Sequence, residues 1–126
     1  MTGKLGTYLS EIGNYAKDVY RTAWQDFWKN EFPKYYKGLI KVGDKFAAII
    51  ELPPEYFPSR VLGMTDCLST ILIRNDLHKF GYGAKNFVVE HEVKHIELAE
   101  KGEPYWDENL VDKLAMRKLG LSYRPV

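Results

Sequence analysis

The apolar residues of this chain change their repeat twice, and that change limits the folds open to it. Over residues 5–29 they recur every third or fourth position, at Leu5, Tyr8, Leu9, Ile12, Tyr15, Ala16, Val19, Ala23, Trp24 and Phe27. That is the period of one face of a helix. Over 37–42, 45–52, 60–64 and 69–74 they alternate or run unbroken in stretches of strand length. Over 85–101 and 108–119 the helical spacing returns. A long helix, a group of strands and two further helices, in that order, make an α+β fold.

The punctuation agrees with these boundaries. Gly43-Asp44 sits between the first two strand candidates as a hairpin turn. Leu52-Pro53-Pro54-Glu55-Tyr56-Phe57-Pro58 reads as a loop, because proline cannot donate to a strand ladder. Asn75-Asp76 turns the chain after the last strand, and Gly81-Tyr82-Gly83 leads toward the next helix. Lys101-Gly102, with Pro104 beyond it, ends that helix. Asp107 is a good N-cap for the helix over 108–119, and Gly120 stops it.

The long first helix carries an aromatic stripe, with Lys17, Asp18, Arg21, Gln25 and Asp26 on its other side. Such a stripe suits a membrane surface or a docking face on the domain core. Membrane-surface helices concentrate Lys and Arg on the polar face, so docking on the core is expected here.

The 126 residues fit one domain, 1–126, and can bury a core without a disulfide or structural metal. Eighteen Lys and Arg against seventeen Asp and Glu give a net charge of +1, which argues against a nucleic-acid partner. One cysteine, Cys67, excludes an intramolecular disulfide framework and an all-cysteine zinc site, and fits a reducing compartment. No stretch approaches the length of a membrane span, and the first residues lack the apolar core of a secretory signal. The expected location is cytoplasmic.

The chemistry is concentrated in His91-Glu92-Val93-Lys94-His95, an H-E-x-x-H pattern on a predicted helix. Composition alone would place this pattern in fewer than about one such chain in a hundred. Histidines four apart leave a helix on one face and can share a metal ion, for which zinc is the expected choice. Glu92 then lies beside the open coordination position, where it can act as general base on a water. On a helical wheel from Phe87, His91, His95 and Leu98 share a narrow arc, flanked by Val88, Glu92 and Ala99. Val89, Val93 and Ile96 form a second apolar arc, and Glu90, Lys94 and Glu97 a solvent stripe. Two apolar arcs predict a helix buried on one side against a sheet and lining a cleft on the other.

A catalytic zinc needs a third protein ligand. His78 is one candidate, from a turn-like segment. Glu108 is the better one: it shares a face of the last helix with Val111, Asp112, Ala115 and Leu119, where unpaired carboxylates would be costly. Asp112 would then hold the N–H of a metal-bound histidine, and Ala115 would let the two helices approach closely.

His91-Glu92-x-x-His95 followed by Glu108-x-x-x-Asp112-x-x-Ala115 resembles the gluzincin metallopeptidases. Only twelve residues separate His95 from Glu108. In that short gap and its small size the chain is similar to the minigluzincins, compact relatives of catalytic domains in integral-membrane peptidases such as the CAAX prenyl proteases. The motifs cover about residues 85–119. The resemblance implies a minimal zincin-like fold: a small twisted sheet of three or four strands packed on an active-site helix, a glutamate helix and the long first helix. It also implies an edge strand, 60–64 or 69–74, that pairs with an extended peptide or protein substrate.

The implied activity is zinc-dependent peptide-bond hydrolysis, with His91, His95 and Glu108 as ligands and Glu92 as base. A further donor would stabilise the oxyanion. Tyr82, Tyr105, His78 and Tyr123 are candidates, and Tyr105 leads because it precedes the glutamate helix. The family includes latent forms, so the tail Ser122-Tyr123-Arg124-Pro125-Val126 could fold over the cleft or simply fray. The alternative to a peptidase is a zinc-binding interaction module without turnover.

Overall fold

The structure is a computed structural model that describes the backbone of residues 3–126 and the side chains from Tyr15 onward. The elements follow in the order α1 (Gly3–Glu31), β1 (Tyr36–Val42), β2 (Lys45–Leu52), β3 (Gly63–Thr65), β4 (Thr70–Arg74), α2 (Ala84–Glu100) and α3 (Glu108–Leu119). Short 3-10 turns at Pro54–Tyr56 and Leu77–Phe80 precede β3 and α2. The architecture is α+β, a small mixed four-stranded sheet with three helices.

The sheet order is β1-β2-β4-β3. β1 and β2 form the expected antiparallel hairpin, with an irregularity in register between Tyr36 and Leu39. Gly38 sits in that irregularity at φ 109, a conformation glycine adopts without steric cost. β4 pairs parallel with β2 and antiparallel with β3. The segment 69–74 is therefore an interior strand, which corrects its candidacy for the substrate-binding edge. The edge strands are β1 and β3, and β3 spans Gly63–Thr65 rather than the expected 60–64. Arg60, at φ 67, turns the backbone out of strand geometry before it.

The period-two alternation of the strands divides the core between two faces. Ala47, Ile71 and Ile73 join Val42, Leu77, Val88, Val93 and Ile96 beneath α2. Ala48, Ile50 and Leu52 face the other way, covered by Trp28, Tyr35, Tyr36 and Phe57. α2 is buried along Phe87, Val88, Glu92, Val93, His95, Ile96 and Leu98, the two-sided burial that its wheel predicts. Its third stripe differs from expectation. Lys94 bridges Glu90 and Glu97 at 3.4 and 3.2 Å, and all three are only partly exposed.

α1 departs further from its expected packing. Arg21, 8% exposed, is its buried residue among those described. Its guanidinium binds Asp18 at 2.6 Å and Glu100, at the end of α2, at 3.1 Å. Gln25 donates to the carbonyls of Phe46 and Ser69. The apolar residues Tyr15, Val19, Tyr20, Trp24 and Phe27 are exposed. So the helix docks through Arg21, Gln25 and Trp28, and the stripe from Tyr15 to Phe27 does not cover the core. Leu5, Tyr8, Leu9 and Ile12 lie outside the described side chains. Among the described residues no helix is long and apolar enough to cross a membrane.

Candidate metal centre

α2 and α3 bring the site together. Asp107 caps α3, its carboxylate accepting from the Leu110 N–H at 3.2 Å. That cap fixes the first turn of α3, where Glu108 sits. Buried Val111 and Ala115 let α3 lie close on α2, as the small residue at 115 suggests. His91 and His95 follow one above the other on α2, with ring centroids 4.9 Å apart.

The donor atoms converge. His91 Nε2 and His95 Nε2 are 3.2 Å apart. Glu108 Oε2 lies 2.9 Å from the first and Glu108 Oε1 3.1 Å from the second. Ligand atoms of His91, Glu92 and His95 all fall within 4.8 Å of one another, a group able to hold a metal ion. A tetrahedral metal with bonds of about 2.0–2.1 Å spaces its donors about 3.3 Å apart, close to the spacing here.

The far side of each imidazole sets which nitrogen carries the proton. His95 Nδ1 lies 2.6 Å from the carbonyl oxygen of Tyr105, which can only accept, so Nδ1–H donates and Nε2 presents a lone pair. His91 Nδ1 approaches Asp112 Oδ1 at 2.7 Å. Asp112 Oδ1 is buried and has no hydrogen-bond partner among the described residues. A carboxylate placed there favours a proton on Nδ1, which again leaves Nε2 as the free donor. Two imidazole lone pairs and a carboxylate facing each other at these distances repel unless a cation or a proton lies between them. The donor set, two imidazoles and one carboxylate, suits zinc.

Glu92 stands beside this group, 6% exposed. Burial, reinforced by the charge of Glu108, pushes its carboxyl from 4.5 up to about 8. Gly63 lets β3 pass directly over it: a Cβ there would meet Val88 Cγ1 at 2.8 Å and Glu92 Cγ at 3.4 Å. A glycine inside a strand is the sequence signal for such a close approach. The cleft in front holds about 450 Å³. It is lined by Arg60–Thr65 on one side and by His91, Glu92, His95 and Glu108 on the other, with Cys67 nearby. Burial and the carboxylates of Glu92, Asp66 and Glu108 push the Cys67 thiol up, which disfavours a thiolate beside the histidines.

The C-terminal tail also lines the cleft, through Arg124 and Val126. Arg124 pairs with Asp112 Oδ2 at 3.0 Å and lies 5.8 Å from the centre of the Phe87 ring. Val126 packs against the core cluster beneath α2. Of the two expectations for the tail, folding over the cleft or fraying, the position of these two residues fits the first.

The other candidates lie apart from the site. His78 and Tyr82 line a second hollow with Glu51, Arg74 and Lys85. Tyr123 is exposed and does not line the cleft. Tyr105 contributes its carbonyl to His95, while its ring packs edge-on against Trp106 outside the cleft lining. Tyr105 thus reaches the site through its carbonyl, and its side chain is not among the groups that line the cleft.

No family model, curated protein or solved structure matches this chain.

Proposed function

We propose that the chain is a zinc-dependent peptidase of the gluzincin type, with a minimal zincin-like fold and a tail that holds it latent. The convergence of His91, His95 and Glu108 around one point, with Glu92 buried beside them, carries this reading. Zinc on those three residues would supply Lewis acidity toward the scissile carbonyl and lower the pKa of water at the site. Tyr105 O and Asp112 orient the two imidazoles. Without a metal Glu92 holds its proton at neutral pH, its carboxyl pushed up to about 8 by burial and the charge of Glu108, and a cation on the three ligands would favour the carboxylate form that can act as base. It takes a proton from the water whose oxygen adds to the carbonyl carbon. It then gives that proton to the amide nitrogen as the C–N bond breaks, leaving a carboxylic acid and an amine. β3 is one of the two edge strands of the sheet and the one that borders the cleft, so an extended peptide can add there as a strand.

The test is Glu92→Gln. It should lower kcat by about 10²–10⁴-fold and leave zinc content unchanged, because Glu92 is a base and not a ligand. Unchanged hydrolysis in that variant would refute the mechanism. The Arg124–Asp112 pair and Val126 support the latent form. Removing residues 121–126 should raise peptidase turnover, and a shortened chain with no gain would refute latency. If zinc binds but neither form cleaves any peptide, the chain is a zinc-binding module without turnover.

A further inference from the structure

Among the described residues, α1 offers an apolar face with no cover from its own chain. At about 100° per residue, Arg21, Gln25 and Trp28 share an arc of roughly 60°, and these are its inward residues. Tyr15, Ala16, Val19, Ala23 and Phe27 share an arc of roughly 120° centred on the opposite side. All five are exposed, Tyr15 at 73% and Val19 at 52%. The aromatic rings Tyr20, Trp24, Phe27 and Phe32 continue the patch in edge-to-face contacts of 5.2–6.2 Å. The sequence carries the same spacing back through Leu5, Leu9 and Ile12.

We propose that this stripe is the docking surface for a second copy of the chain, helix against helix. Three observations select that occupant. The first is area. The exposed parts of Tyr15, Val19, Tyr20, Trp24, Phe27 and Phe32 together present roughly 500 Å² of apolar surface, a patch of the size that marks an interaction site and a large part of the roughly 800 Å² each partner gives to a standard interface. The second is spacing. Ala16 and Ala23 stand seven apart with Val19 between them, the repeat that keeps a seam on a facing helix, and the small side chains let two helices approach closely. The third is charge. α1 carries Lys4, Lys17, Arg21 and Lys29 against Glu11, Asp18, Asp26 and Glu31, and Asp26 falls within the apolar arc. A balanced, interleaved set of charges suits a copy of the same helix. It gives no pull toward an anionic membrane, which selects Lys-rich and Arg-rich faces. One patch meeting itself across a two-fold axis is the commonest closed assembly.

The test is sedimentation equilibrium of the full chain over about 1–100 µM, with Val19→Asp, Ala23→Glu and the control Lys17→Glu, which lies off the stripe. The wild type and Lys17→Glu should dimerise. Val19→Asp and Ala23→Glu should weaken the dimer by about 30-fold or more, with far-ultraviolet circular dichroism unchanged because both positions face water. Two substitutions keep the test decisive if one of them unfolds. A wild type that stays monomeric throughout would overturn the proposal, as would a dimer that both variants retain. Co-sedimentation with vesicles of phosphatidylcholine and phosphatidylserine, lost in Val19→Asp, by a chain that stays monomeric in solution would assign the stripe to a lipid surface instead.

Discussion

α1 and α2 both carry apolar residues at helical spacing, one stripe on α1 and two arcs on α2, and are used in opposite ways. α2 buries apolar residues on both sides, one against the sheet and one along the cleft. α1 turns its polar side to the body, through Arg21 and Gln25, and leaves its apolar stripe outside. Periodicity identifies the face of a helix that avoids water. It does not say whether the chain's own core, a partner or a cleft answers that need. The difference lies in contacts far apart in sequence, such as Arg21 to Glu100.

The largest effect that separates the two helices is the cost of truncation. Ile96, 1% exposed on α2, should cost about 2–5 kcal/mol on Ile96→Ala. Val19→Ala on α1 should stay within about 0.5 kcal/mol in the monomer, since Val19 faces water. Urea unfolding of dilute protein measures both. Equal costs would mean that α1 packs its stripe on the core and would break the comparison.

A smaller effect follows from the carboxyl that α2 buries. Glu92 has its carboxyl raised from 4.5 to about 8 in the fold, so between those values the folded chain keeps a proton that the unfolded chain has lost. Unfolding then releases a proton, and stability falls as pH rises through this window. With a chelator present, the chain should be roughly 2–4 kcal/mol less stable at the top of the window than at its foot. Glu92→Gln should remove that dependence. A wild type and variant with parallel pH profiles would contradict the burial of Glu92.

What was legible in the sequence depends on the range of the contact. The α2 and α3 boundaries fall within one residue of their expected ends, because caps, stops and i, i+4 spacing are local. For the same reason His91 and His95 meet as expected, and Glu108 and Asp112 reach them from the next helix. The insertion of β4 between β2 and β3 was not legible, since strand order is set by pairings that no short window contains. The contact of the Tyr105 carbonyl with His95 is not legible, because a position before α3 says nothing about whether hydroxyl or carbonyl points inward. Arg21 read as polar surface. Its burial depends on Asp18 and Glu100 closing around it, and one of those lies 79 positions away.

The central claim is that α2 and α3 together hold one metal ion, and metal content tests it most directly. Tag-free protein, given zinc and exchanged into metal-free buffer, should carry close to one zinc per chain by elemental mass spectrometry. His95→Ala should lose that zinc while keeping its circular dichroism. Wild-type protein that retains no metal under those conditions would contradict the account.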